Sequence, residues 1–235
     1  PDPPNALKAV NATLVLAKAG ELDVADASGL VATALTTWHL PAKRAGDVAN
    51  YLANAANIST SDVTDLGEAL KFVAPVAAKV GVNAQTTAAL LAQLSNAGIK
   101  GTLAGTGLRK VLESLQAPTG GAAKVLDQLG VSAFTSSGKV RPFGKVMAEL
   151  QTKLSTLSDA DRKMDLRKIF GLTGITSAQV LLDNVKNIDA YTKGVERAGA
   201  AQKLAQANSK GLAGTLRRAG ADFKTAGQEA YRAFS

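Results

Sequence analysis

Apolar positions along this chain recur mostly three and four apart, the spacing of an α-helix, and the runs are short because glycine, proline, asparagine and serine keep interrupting them. The pattern predicts a first helix from about Ala6 to Ala19, stopped by Gly20, and a second from about Val24 to Trp38. Pro41 suits the first turn of a third helix that runs to about Ala56. Ser59 to Asp62 supply N-cap candidates for a fourth, from Val63 to Val80, closed by Gly81. Asn83 caps a fifth that carries Leu90, Leu91 and Leu94 and ends at Gly98. A sixth covers Leu103 to Leu115, and Pro118 opens a seventh that stops at Gly130.

The period changes from Val131 to Arg141, VSAFTSSGKVR, where β-branched and aromatic residues flank Ser-Ser-Gly; this predicts one small β-hairpin. Helical spacing then resumes. Pro142 starts an eighth helix to about Leu154, Ser158 with Asp161 caps a ninth that ends near Phe170 and Gly171, and a tenth covers Ser177 to Asn184. The predicted fold class is all-α, a multi-helix array of about ten short helices with one hairpin, filling a core region of residues 1–185.

Residues 186–235 read differently. From 188 to 233 an unbroken three-four alternation sets twelve apolar residues on fourteen positions, the spacing of a coiled-coil seam, so a long C-terminal helix is expected. Its candidate self-association positions are Ile188, Tyr191, Val195, Leu212, Leu216 and Phe223. Half of the twelve are alanine and six glycines fall in the stretch, so such a helix needs partners; a loose surface helix or a partly disordered tail is the plain alternative.

Composition narrows the fold further. Aromatic residues are 4% of a chain that is 46% hydrophobic, and alanine, valine and leucine supply much of the apolar count, which predicts a shallow core with backbones close together. Trp38, Tyr51, Phe72, Phe134, Phe143 and Phe170 fall about one to a segment, as core anchors do, and not as a base-stacking platform. The formal charge is +8, and residues 186–235 hold nine of the basic residues against four acids. Lys203, Lys210, Arg217, Arg218, Lys224 and Arg232 are the candidate contacts. Nucleic acid, anionic lipid and an acidic protein wall all reward that charge, and a solvated helix face is the ordinary alternative.

Catalytic chemistry finds little to use. With no cysteine, thiolate metal sites and disulfides are excluded, and with His39 as the single histidine no multi-histidine metal site can form. His39 reads as a partly buried structural residue beside Trp38. The stretch GIKGTLAGTG, Gly98 to Gly107, lacks the Lys-Ser or Lys-Thr and the preceding strand that a phosphate loop needs, and its Gly101 and Gly105 read as a tight corner. Asp159 and Asp161 sit where they favour a helix start. No enzyme activity, cofactor or metal is expected. The most apolar window, Ala69 to Val82, is broken by Lys71, Pro75 and Lys79, so no transmembrane helix is expected. The chain opens PDPPN with neither an initiator Met nor a signal sequence, which suggests an internal piece of a longer protein.

Specific strings add a resemblance. DLGEAL followed by APVA, NAGIKG with AGTGLRK, LGVSAF with SGKVRP, and then DRKMDLRKIFG resemble, in order and spacing, the core region of phage tail tape measure proteins. The strong part spans Asp65 to Phe143, and weaker similarity runs from about Glu21 to Ala207; LTGITSAQVLLDN fits loosely and residues 208–235 lie outside it. The resemblance implies a structural virion protein in the lumen of a phage tail that templates the tail tube, sets tail length and is released at genome ejection. Implied partners are the tail tube protein, baseplate or tail-tip proteins, tail assembly chaperones and further copies of itself, with host inner membrane and phage DNA met during ejection. Implied locations are the virion tail, the host cytoplasm during assembly and the host envelope on ejection. The rival reading is a membrane-active module built on the Ala/Gly-rich helices from Val63 to Leu115.

Overall fold

Helix starts fall where side chains cap them in the computed structural model, which describes residues 3–210. The first four N–H groups of a helix have no partner inside it, so a polar side chain at the N-cap stabilises the start. Asp62 accepts from the backbone of Asp65 at 2.7 Å, Asn83 from Thr86 at 2.7 Å, and Ser158 from Asp161 at 3.2 Å. These begin helices α4 (Val63–Lys79), α5 (Ala84–Asn96) and α9 (Asp159–Asp183). Before them come α1 (Pro3–Gly20), α2 (Val24–Thr37) and α3 (Ala45–Asn57), with a 3-10 turn at Ala42–Arg44 after Pro41. Between α5 and α9 lie α6 (Gly101–Gln116), α7 (Gly120–Leu129) and α8 (Phe143–Leu154); α10 (Ile188–Val195) follows a second 3-10 turn, Val185–Asn187, and helical residues resume from 200 to 210.

The core forms around α5. Leu90, Leu91 and Leu94 are wholly buried, as are Ala89 and Ala92, and the helix touches α3, α4, α6, α9 and α10. Beside it α4 and α6 run in the same direction: Asp65 lies by Gly101, Ala69 by Gly105, and Gln116 Nε2 donates to the Val80 carbonyl. The second half of α9 packs antiparallel on the other side of α6, with Ser177 against Gly107 and Gly174 against Lys110. The predicted shallow Ala/Leu core with close backbones is what α6 displays. Gly105 accordingly sits at a helix crossing and not at a corner; only Gly101, with φ +52°, is at one.

Three expectations need correction. The stretch from Val131 to Arg141 holds no strand pair but a turn closed by one isolated antiparallel bridge, Phe134 to Val140. Both side chains are partly exposed, at 39 and 45%, and among the described residues no further strand pairs with either side to extend a ladder. Arg141 pins this turn instead, donating to the Ser132 carbonyl at 2.8 Å and to Glu149 of α8 at 2.6 Å.

The expected unbroken C-terminal helix stops at Val195. Asn54 of α3 donates to the carbonyls of Val195 and Arg197, at 2.9 and 2.7 Å, and Gly199 with φ +78° turns the chain before helix resumes. Within the described part of 186–235, Ile188, Val195, Ala200, Ala201 and Ala205 are buried. Asn208 Nδ2 donates to the Ala19 carbonyl at 2.8 Å, which ties this segment to the end of α1.

Finally, His39 is exposed, at φ +51° after the end of α2. Its neighbour Trp38 does the structural work, donating Nε1 to the Val82 carbonyl at 2.8 Å and so joining the α2 exit to the start of α5.

Candidate interaction surfaces

The self-association candidates divide between the core and the undescribed residues. Ile188 and Val195 are 3% and 0% exposed, and Tyr191, half-buried, accepts from Asn96 Nδ2 at 2.8 Å. These three already have an intramolecular partner surface on α3 and α5. Leu212, Leu216 and Phe223 lie outside the described residues, as do Arg217, Arg218, Lys224 and Arg232. Lys203 and Lys210 are exposed on the helical segment from 200 to 210.

Among the described residues no group of three His, Asp or Glu side chains could hold a metal ion, and no helix is long and apolar enough to cross a membrane. The titratable side chains that stand out are surface pairs. The Arg44 guanidinium is held above its usual range by hydrogen bonds to the Tyr51 hydroxyl and then to Asp47. Lys71 is raised by its 2.5 Å hydrogen bond to Glu68. Both pairs join residues on one helix turn or across two, where surface charge pairs contribute little to stability.

Concave surface is modest. A groove of about 250 Å³ runs between α2 and α4, floored by Leu30, Leu70 and Ala74 and rimmed by Asp26, Glu68 and Lys71. A hollow of about 340 Å³ lies where the turn at Val140 and Arg141 meets the starts of α5, α8 and α10.

Reading the sequence alone missed one surface. Leu7, Val10 and Leu14 of α1 and Val24 of α2 are 71, 56, 47 and 51% exposed, and Val10, Leu14 and Val24 line a furrow between these helices. The signal was present: α1 is apolar on two faces, with Ala12, Leu16 and Ala19 turned inward and Leu7, Val10 and Leu14, three and four apart, on the other side.

Comparison with known proteins accords with the strings that carry the resemblance. Residues 2–171 match the family described as phage-related minor tail protein. The chain is 33% identical over 221 residues to the tape measure protein of Pneumococcus phage Dp-1, an alignment covering 93% of this chain and 19% of that protein. It is 32% identical over 224 residues to the probable tape measure protein of Escherichia phage P2, covering 94% of this chain and 27% of that one. It thus spans about a fifth and about a quarter of the length of these curated relatives. No solved structure matches.

Proposed function

The chain belongs to the phage tail tape measure family, and from that premise we propose that it is a segment of a tape measure protein that templates the tail tube, sets tail length and leaves the tail at genome ejection. The observation that carries the reading is similarity to two tape measure proteins along 93 and 94% of the chain, a span that includes helices from both ends of the described fold. The chemistry is consistent with it. A core of alanine and leucine, short helices, and charge arranged in surface pairs suit a part whose work is shape and contact.

In this reading the tail tube protein is the principal partner, with baseplate or tail-tip proteins and tail assembly chaperones at the ends of assembly. The basic surplus beyond residue 186, including Lys203 and Lys210, faces the tube wall, and Leu212, Leu216 and Phe223 join copies of the chain to one another. The membrane-active alternative would require helices between Val63 and Leu115 to give up the buried faces of Leu66, Leu90, Leu108 and Leu112. Dye release from anionic vesicles by the folded chain would favour that alternative.

The direct test removes this segment, in frame, from the parent gene and measures tails by electron microscopy. Shorter tails of uniform length are expected. Tails of unchanged length that still assemble would overturn the reading.

A further inference from the structure

The described residues end beside a groove. Asn208 Nδ2 donates to the Ala19 carbonyl at 2.8 Å, and Asn208 lines a small hollow with Glu21, Asp62 and Val63. The next residues along those two segments, Leu22 and Thr64, line the groove of about 250 Å³ between α2 and α4. Lys210, two positions past Asn208, therefore stands near the end of the groove where α2 and α4 begin. From there both helices run the same way, since Leu30 packs on Gly67 and Trp38, which also lines the groove, donates to Val82.

The groove and its approach suit a segment that is both apolar and basic. Its floor is Leu30, Leu70 and Ala74. Four acids line the two concavities, Glu21 and Asp62 in the hollow and Asp26 and Glu68 in the groove. The one base lining them, Lys71, pairs with Glu68 at 2.5 Å. Between Lys210 and Asp222 the sequence carries no acid, but it holds Leu212, Leu216, Arg217 and Arg218. We propose that residues 211–218 dock in the α2–α4 groove of their own chain, with Leu212 and Leu216 over its apolar floor and Arg217 and Arg218 at its acidic rim. Their reach is sufficient: eight extended residues span about 26 Å, and the 14 residues of α2 are about 21 Å long. Opposite charge at the rim selects this segment. Tethering holds it at an effective concentration of about 1 mM, so a contact too small to capture a free partner is populated. While docked, Leu212 and Leu216 are withheld from other copies, so docking and self-association exclude each other. The inference goes beyond the tape measure reading and does not depend on it.

The chain contains no cysteine, and Gly29 lines the groove with nothing within 4 Å of an added Cβ, so a single thiol there reports on cover. In the full chain carrying Gly29→Cys, alkylation is expected to be about tenfold slower than when Leu216→Asp and Arg217→Glu are added, as a segment docked nine-tenths of the time requires. Trp38, the single tryptophan, lines the same groove and reports without a thiol. The same two substitutions should red-shift its emission and increase its quenching by acrylamide, and an unchanged circular dichroism spectrum distinguishes undocking from unfolding. Oxidation of a chain carrying Gly29→Cys and Leu216→Cys is expected to give an internal disulfide at the 24.0 kDa chain mass. Alkylation and quenching that are the same with and without the substitutions would overturn the proposal. So would a disulfide-linked product of twice that mass formed in place of the internal one, which would seat a second copy in the groove.

Discussion

A Cβ on Gly105 would stand 2.2 Å from the carbonyl oxygen of Ala69, and one on Gly107 2.1 Å from the hydroxyl of Ser177. Both lie in the string AGTGLRK, so a motif that carries the resemblance proves to be a packing requirement: α6 is pinched between α4 and α9, and only hydrogen fits on either side. Gly105→Ala meets rigid backbone and is expected to destabilise the fold by about 2 kcal/mol or more, as overpacking does. Gly46→Ala, in the first turn of α3 with nothing within 4 Å, should stabilise by about 0.5 kcal/mol through the unfolded chain. Urea denaturation of the two variants checks both sign and order. Gln93 makes a second case, since both of its amide atoms are buried without a partner among the described residues. Gln93→Met removes that desolvation cost at nearly constant volume and is expected to raise stability by about 1 kcal/mol, read as a rise of about 2–4 °C in Tm. Neither feature was legible from spacing. Glycines in a helix look like corners, and a lone glutamine on an apolar helix looks exposed, until the neighbouring elements are in place.

Among elements, the ends of helices were legible and their partners were not. Asp62, Asn83 and Ser158 act within three residues, so local chemistry names them, and the left-handed turn at Gly130 likewise closes α7 where expected. The end of α10 depends instead on Asn54, which is more than 140 residues away in the chain. A periodic seam from 188 to 233 cannot reveal that a side chain of α3 takes two of its carbonyls. Asn54→Ala would leave those groups buried with water as the only replacement, and a loss of about 1–3 kcal/mol is expected. Hydrogen exchange locates the effect: amides from 195 to 205 should lose protection while those of α5 keep theirs. The break in α9 is the opposite case. The pattern stops a helix at Gly171, and its φ +64°, ψ −173° lies in a region that only glycine enters freely, so two helical halves meet there at a kink. Gly171→Ala is expected to cost about 1–3 kcal/mol although no atom stands within 4 Å of the added carbon. A loss despite that open space identifies backbone strain, and not crowding, as the cause.

For the whole molecule, the fold and the proposed ruler set different lengths. A compact chain of this size has a radius of gyration of about 17 Å and is about 45 Å across, and its width grows only as the 0.38 power of residue number. Such a globule is a poor gauge, because removing a third of it barely changes its span. The same residues as helices laid end to end reach about 350 Å and lose about 1.5 Å for each residue removed. A protein that sets tail length by its own length therefore needs the second regime inside the tail. The short connections and the absence of disulfides put no covalent obstacle in the way of helices separating. The cost of opening is the apolar surface of Leu90, Leu91, Leu94 and their neighbours, which the tube wall or other copies must cover again. Nested in-frame deletions of about 30, 60 and 90 residues within this segment should accordingly shorten tails in proportion, with a slope near 1.5 Å per residue by electron microscopy. A total shortening of no more than about 45 Å when the whole segment is removed would instead mean that the fold described here is kept within the tail, and that length is measured by the rest of the parent chain.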